Sequence, residues 1–263
     1  MLEPENNPNP PSMVDPSPLT RFLMAKYLRR IASTKQIGKK RASFEKKRLA
    51  ENRPHEIEYF HQLDDPYSHL TAQVLARFAA RYDVKIAPRL IRATGGKHQP
   101  EEEKLAAWAR RDAGLIAPHY GLQFPSSAAV VPEPEARQSA TLALAGLNAE
   151  GFLAEIEGIS TGMWSGENPE RGQASDADAT AALDQGSARL DELGHYSGAT
   201  LYYGGEWYWG VDRLFHLEQR LRELGACKAP EEPYLVPRPS IDVAGVDASG
   251  LKLHFYPSLN SPY

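Results

Sequence analysis

Cysteine is almost absent from this sequence: of its 263 residues, only Cys227 carries a thiol. A single cysteine cannot form a disulfide within the chain, a C-x-x-C redox motif or a cysteine-rich metal site. The sequence therefore excludes thiol–disulfide exchange between two cysteines of this chain.

Several other patterns are missing. The chain has no apolar run of about 18 residues, the length that predicts a transmembrane helix. Its first residues, MLEPENNPNPPSM, are polar and rich in proline, unlike a signal peptide, so a cytoplasmic location is predicted. Neither a glycine-rich phosphate loop nor two histidines at the spacing of H-E-x-x-H occur, so no metal site is predicted. Three histidines remain candidates for acid–base work and are interpreted as structural: His61, His69 and His195.

The chain is apolar enough to form a core, and its basic residues are concentrated near the N-terminus. Apolar residues make up 41% of it, enough for a real core in one large domain with or without appendages. The net charge is −4, yet residues 20–50 hold eleven Lys or Arg and a single acid, Glu45. Residues 1–17 contain five prolines and are predicted to be a disordered leader.

Residues 18–52 predict a basic helical arm, because apolar side chains recur at spacings of three and four. Such a stripe can bind a membrane surface or nucleic acid, or it can dock on the protein while the charges stay solvated. The pattern favours docking on the protein over contact with a membrane surface. No nucleic-acid partner is predicted, since the basic residues are not interleaved with aromatic ones for base stacking.

Two supersecondary units are predicted further along. Residues 56–63 and 84–91 are predicted strands on either side of a helix that starts at Asp65-Pro66, with Asp65 as N-cap. Residues 200–204 and 206–209 form a hairpin around Gly204-Gly205, followed by a helix with Asp212 as N-cap. The sequence thus predicts a βαβ unit and a ββα unit.

The residues between these units, about 93–198, are predicted to be mainly helical. Acidic starts and apolar spacing place four helices there, at 100–117, 133–148, 149–163 and 176–194. The prediction is therefore an α/β fold in which a helical insertion separates a βαβ half from a ββα half.

The hairpin segment GGEWYWGVDRL resembles the G-E-x-F-W-G-x-D-R-L segment of the DsbA-like branch of thioredoxin folds. It is most similar to 2-hydroxychromene-2-carboxylate isomerases and kappa-class glutathione transferases. The resemblance implies a thioredoxin-like domain over residues 54–226 with its helical insertion. It also implies glutathione as a possible cofactor and a small-molecule substrate.

The resemblance places the active site at the start of the helix after the first strand. DsbA carries C-x-x-C there and the isomerase branch a serine that donates to the glutathione thiolate. This chain has Asp65, Pro66, Tyr67 and Ser68. An ionised carboxylate only accepts hydrogen bonds, and a helix N-terminus is expected to keep Asp65 ionised. We therefore expect a degenerate site with Asp65 as a plain cap and Ser68 as the remaining hydroxyl.

The family also has a cis-proline before the hairpin strand and an Asp-Arg pair that holds the γ-glutamyl amine. Ala199 replaces the proline, so the bond before it is predicted to be trans, and Thr200 follows. Asp212 and Arg213 match the Asp-Arg pair and are candidate cofactor-binding residues. Restoring both the serine and the proline, by Asp65→Ser with Ala199→Pro, is expected to restore glutathione binding.

The end of the sequence resembles its first predicted strand. Residues 253–263 align with 57–67 without gaps, with three identical and four similar positions. After a Pro-rich linker at 227–249, residues 250–263 are therefore predicted to begin a second thioredoxin-like domain. Ser261 falls at the position of Asp65 and is the candidate catalytic serine of that domain.

Two functions follow from these observations. The first is a DsbA-family protein resembling glutathione-dependent isomerases or transferases, with a degenerate first site. The second is a non-catalytic structural or peptide-binding domain that supports a second, catalytic domain in the same chain.

Overall fold

A computed structural model describes residues 17–93, 101–125, 131–240, 243–252 and 254. The chain divides into two compact units, one of residues 46–239 and one of residues 1–45 with 240–263. The elements in chain order are α1 (Pro18–Ile31), α2 (Thr34–Ala50), β1 (His55–His61), α3 (Pro66–Arg81), β2 (Val84–Leu90), α4 (Glu102–Ile116), a 3₁₀ turn (Ala117–Tyr120), α5 (Pro134–Ala145), α6 (Ala149–Trp164), α7 (Asp176–Glu192), β3 (Thr200–Tyr203), β4 (Glu206–Trp209) and α8 (Val211–Glu223).

The four strands form one sheet in the order β2-β1-β3-β4, as predicted. β1 and β2 run parallel, with Ile57 opposite Ile86, and helix α3 connects them. β3 runs antiparallel to β1 and forms a hairpin with β4. A βαβ half joined edge to edge with a ββα half is the thioredoxin-like fold, and helices α4 to α7 are its insertion. The four predicted insertion helices are confirmed with end shifts of up to three residues.

Strand β1 lies at the centre of the sheet and is covered on both faces. Tyr59 points towards α3, where its hydroxyl donates to the Ser68 carbonyl at 3.3 Å. Phe60 points the other way and joins a cluster with Leu190 of α7. Because neither face meets solvent, β1 shows the nearly continuous burial of a central strand rather than a polar–apolar alternation.

A buried carboxylate holds helix α7 against one face of the sheet. Glu58 on β1 accepts from Arg89 Nε at 2.6 Å and from Arg189 Nη2 at 2.7 Å. Burial favours the neutral acid, but the two guanidinium groups outweigh it and hold the pKa of Glu58 below its ordinary value of 4.5. This triad ties one insertion helix to both parallel strands.

Residues 227–239, the first part of the predicted linker, belong to the compact unit that holds the sheet. The Glu218 carboxylate of α8 accepts from the backbone N–H groups of Leu235 and Val236, at 3.0 and 3.3 Å. Prolines keep this stretch out of helices and strands, but side-chain bonds attach it to the core. The predicted second domain stays a prediction, because residues 253 and 255–263, including Ser261, lie outside the described residues.

The predicted basic arm forms two helices, α1 and α2, separated by Ala32 and Ser33. No residue of either helix is buried, and the apolar stripe of α1 is exposed, for example 68% at Leu19 and 64% at Phe22. Within the described ranges, every helix is too short or too polar to cross a bilayer.

Deleting residues 1–52 should leave the sheet-containing unit folded, because neither arm helix contains a buried residue. The expected result is a single cooperative thermal transition followed by circular dichroism. Loss of that transition would show that the arm is part of the core.

Replacing Glu58 by Gln should lower the free energy of unfolding by about 3 kcal/mol at neutral pH, since two guanidinium groups lose their buried anion. A lowered folded-state pKa contributes stability that is present above the ordinary value of 4.5 and is lost as pH falls through the folded-state pKa, so this difference should shrink progressively below pH 4.5. Urea unfolding across pH measures it. The control is Glu192→Gln, which removes an exposed partner of Arg189 and should change stability by less than about 0.5 kcal/mol.

Candidate functional site

The candidate site lies where β1 ends and α3 begins. The Asp65 carboxylate accepts from the backbone N–H of Tyr67 at 3.2 Å and of Ser68 at 2.9 Å. Pro66 occupies the first turn, where its missing N–H costs nothing. Asp65 is therefore the N-cap of α3, as the sequence predicted.

Asp65 is ionised at neutral pH as expected, but its pKa lies above its ordinary value, whereas a helix N-terminus is expected to lower it. Burial raises its pKa from 3.8 to about 6, although the hydrogen bonds from Ser68 and Tyr67 favour the charged form. The expected lowering by the helix N-terminus is thus wrong, because loss of water outweighs the cap bonds. Asp65 is ionised at neutral pH and becomes a neutral acid in mildly acidic solution.

Ser68 is not a free hydroxyl on a helix face. Its side chain is fully buried and its Oγ donates to Asp65 Oδ2 at 2.7 Å. The same oxygen accepts from the backbone N–H of Gln62 at 3.2 Å and of Ala199 at 2.8 Å. Since a hydroxyl has one proton and two lone pairs, Ser68 has no remaining capacity for a ligand.

The loop before β3 approaches this serine closely. A Cβ on Gly198 would lie 2.9 Å from Ser68 Oγ, so the approach requires glycine. The described residues contain no cis peptide bond, and Ala199 adopts a φ of +55°. Proline cannot take that φ and has no N–H to give Ser68, so Ala199→Pro would disrupt the loop rather than rebuild a family pocket.

Thr200 is also used locally. Its side chain is fully buried and its Oγ1 donates to the Ser197 carbonyl at 3.0 Å. The Thr200 hydroxyl proton is thus committed to the loop. The cofactor-binding role of Ala199 and Thr200, which would use backbone groups of this loop, stays a prediction.

Helix α8 starts differently from the prediction. Its N-cap is Gly210, at a φ of +75°, and no side chain caps it. Asp212 lies in the first turn and pairs with Arg213, Nε to Oδ2 at 3.4 Å. Burial raises the pKa of Asp212 against the opposing effect of Arg213, and Asp112 adds to the rise.

Two adjoining cavities meet at Tyr67 and Trp209. The α8 cavity, of about 380 Å³, contains Asp112 and Asp212 in its wall. The α4 cavity, of about 350 Å³, lies over the start of α3 against helix α4. Its lining residues are Gln62, Asp64, Asp65, Pro66, Tyr67, Ala93, Glu102, Leu105, Ala106, Trp108, Ala109, Tyr196, Ser197 and Trp209.

The site brings Asp65 and Ser68 into direct contact, whereas Asp212 and Arg213 line only the α8 cavity. Sequence reasoning missed Asp112, which accepts from the Tyr67 hydroxyl at 2.8 Å, and missed Trp108 and Tyr196 as cavity walls. Trp108 and Asp112 lie one turn apart on α4 and Tyr196 lies far along the chain, and none of the three belongs to a motif, so no local signal identifies them.

The three histidines have structural surroundings. His69 Nε2 faces the amide nitrogen of Gln73 at 3.1 Å and its Nδ1 faces Ser160 Oγ at 2.9 Å. Burial lowers the pKa of His61 to about 3 and of His69 to about 4, and it lowers that of His195. All three are neutral at pH 7, and the described residues include no group of three acidic, histidine or cysteine side chains arranged for a metal.

No protein-family model matches the sequence, and no curated protein matches it. Among solved structures the chain is similar to one described as selenomethionine 2-hydroxychromene-2-carboxylate isomerase. The TM-score is 0.49 at 21% identity, over 68% of this chain and 100% of that chain. The thioredoxin-like fold is established by the strand order and directions given above.

Asp65→Asn should change how stability depends on pH. A raised folded-state pKa stabilises the fold fully below 3.8 and loses that contribution as pH rises through about 6. Asparagine also caps helices but does not titrate, so the advantage of wild type over variant should shrink by roughly 2 kcal/mol between pH 4 and 7.5. Urea unfolding at both pH values measures this change.

Asp178 provides a control of opposite sign. Hydrogen bonds from the side chain and backbone of Ser175 lower the pKa of this exposed carboxyl, which belongs to the capping box of α7. For Asp178→Asn, the advantage of wild type should therefore grow, not shrink, as pH rises. A pH-independent difference for Asp65→Asn would contradict the raised pKa.

Proposed function

We propose that this protein is a DsbA-like thioredoxin-fold protein, related to the glutathione-dependent isomerases and transferases, whose α3 site has lost thiol chemistry. The domain then acts as a non-catalytic binding domain. One observation carries the proposal: the start of α3 presents a carboxylate where a thiol or a donating hydroxyl would be needed. The Asp65 oxygens accept from the helix and the Ser68 proton is directed to Asp65.

Charge supports the same conclusion. A glutathione thiolate at the start of α3 would lie close to the ionised Asp65. Two like charges about 4 Å apart at an effective dielectric of 20 repel by roughly 4 kcal/mol. This corresponds to almost a thousandfold in affinity for the thiolate form. The α3 site therefore disfavours the ligand state that glutathione-dependent catalysis requires.

A glutathione-linked isomerase or transferase is the second candidate. It is favoured by Asp212, a carboxylate in the wall of the α8 cavity that matches the family position for the γ-glutamyl amine. In addition, Asp65 becomes a neutral donor below its pKa of about 6. This candidate therefore predicts glutathione binding in mildly acidic solution and its loss at neutral pH.

Glutathione titrations of the full chain below and above the Asp65 pKa of about 6 distinguish the two candidates, because only the isomerase or transferase candidate predicts binding at the lower pH. At pH 7.5 we expect no detectable heat of binding by calorimetry and no lowering of the glutathione thiol pKa, followed by thiolate absorbance. Asp65→Ser, which keeps a cap and removes the charge, should gain measurable binding. Asp64→Ser is the matched control, since Asp64 lines the same cavity but pairs with Arg137 and is expected to leave binding undetectable.

Binding of the thiolate by the unmodified chain at pH 7.5 would contradict the proposal. It would mean that Asp65 stays protonated or turns away when glutathione enters. Binding confined to acidic pH would instead support the isomerase or transferase candidate.

A further inference from the structure

The α4 cavity has aromatic walls from four separate parts of the chain. Tyr67 comes from α3, Trp108 from α4, Tyr196 from the loop before β3 and Trp209 from β4. The rings of Tyr196 and Trp209 meet at 74° with centroids 6.4 Å apart, which makes a corner rather than a stack. Trp209 is 44% exposed, so part of its large ring surface is open to solvent.

The charged residues that line the α4 cavity are all acidic. Asp64, Asp65 and Glu102 line the α4 cavity, and its described lining includes no Lys or Arg. Asp64 is partly neutralised by Arg137, with Nη1 to Oδ2 at 2.8 Å. The guanidinium of Arg111 lies 5.6 Å from the centroid of the Trp108 ring, so a cation of the protein faces this one aromatic wall.

Tyr67, which lines both cavities, lies close to carboxylates of both. Its pKa is raised by burial first, and then by Asp112, Asp65 and Asp212. In the α8 cavity Arg213 offsets part of the negative charge, whereas the α4 cavity contains no such cation among its described lining residues. The α4 cavity is therefore the more negative of the two in its lining charges.

We propose that the α4 cavity binds an organic cation, an amine or quaternary ammonium group carried on an apolar or aromatic body. Aromatic faces attract such cations through the ring quadrupole, and carboxylates at the rim add charge complementarity. The volume of about 350 Å³ falls within the range of small-molecule sites. The inference rests on the proposed loss of thiol chemistry and names the ligand class that the same region then accepts.

An anionic ligand is the opposite expectation and fails on charge. A carboxylate or thiolate entering between Asp65 and Glu102 would meet like charges and, among the described lining residues, no Lys or Arg to pair with. The Ser68 hydroxyl does not compensate, because its proton is directed to Asp65. The cavity therefore selects by the sign of the charge as well as by shape.

Three probes of similar size test this on the full chain at neutral pH: phenyltrimethylammonium, its uncharged isostere tert-butylbenzene, and benzoate. Saturation-transfer NMR detects binding and calorimetry measures it where solubility allows. We expect the cation to bind at least about tenfold more tightly than either other probe, and added salt to weaken it. Equal or tighter binding of benzoate, or no binding of the cation at millimolar concentration, would overturn the proposal.

Matched variants locate the site. Trp209→Leu should weaken cation binding about tenfold, whereas Trp207→Leu, on the same strand but outside both cavity linings, should change it less than about twofold. Glu102→Gln should weaken binding a few-fold and Glu103→Gln, its neighbour on α4 outside the lining, should not. The α4 pair tests charge at exposed positions, so it remains decisive if a hairpin variant unfolds.

Unchanged affinity in both Trp209→Leu and Glu102→Gln would contradict the assignment to this cavity. Glutathione added to the same samples separates this inference from the proposed function. If both the cation and glutathione bind, the proposed loss of thiol recognition is refuted and the cation site is supported. If neither ligand binds, the cation site is refuted and the loss of thiol recognition is supported.

Discussion

The geometry of the site depends on one buried hydroxyl. Ser68 Oγ donates to the Asp65 carboxylate and accepts the backbone N–H groups of Gln62 and Ala199. It thereby joins the end of β1, the first turn of α3 and the loop that enters β3. A buried polar group is stable only when its bonds are satisfied, and this hydroxyl uses all three of its own. At this end of the sheet Ser68 thus adds to the pairing of β1 with β3 that joins the two halves of the fold.

That arrangement also determines the chemistry. Because the hydroxyl proton is directed to Asp65, neither residue offers a donor to a ligand at neutral pH. Burial raises the pKa of Asp65 to about 6 but leaves it charged at pH 7. The start of α3, elsewhere a place that stabilises anions, is thus occupied by an anion belonging to the protein. The neighbouring cavity is consequently suited to ligands of positive charge.

On the opposite face of β1 a second buried carboxylate, that of Glu58, also has a structural role. Glu58 binds Arg89 on the neighbouring strand and Arg189 on α7, which fixes an insertion helix against the sheet. Glu58 is stabilised by donors from elements distant in the chain, whereas the donors to Asp65 all come from Tyr67 and Ser68 in the first turn of α3. Glu58 attaches the helical insertion to the central strand, and the cavities lie at the α3 end of that strand.

The sequence by itself determined the elements and their order, because those signals are local. Asp65-Pro66 starts α3, Gly204-Gly205 closes the hairpin, and the spacing of apolar residues identifies the insertion helices. The sequence predicts Asp212 as the N-cap of α8 because aspartate is a favoured cap, but Gly210 occupies that position. A cap is decided by backbone angles, which the neighbouring hairpin imposes.

Only the tertiary structure decided the site. The pKa of Asp65 depends on how much water the surrounding helices remove, and the role of Ser68 depends on an N–H group from Ala199, 131 residues away. The aromatic corner of Tyr196 and Trp209 forms where the β3 loop and β4 meet. Desolvation and long-range hydrogen bonds are properties of assembled neighbours, so residue type and spacing alone do not specify them.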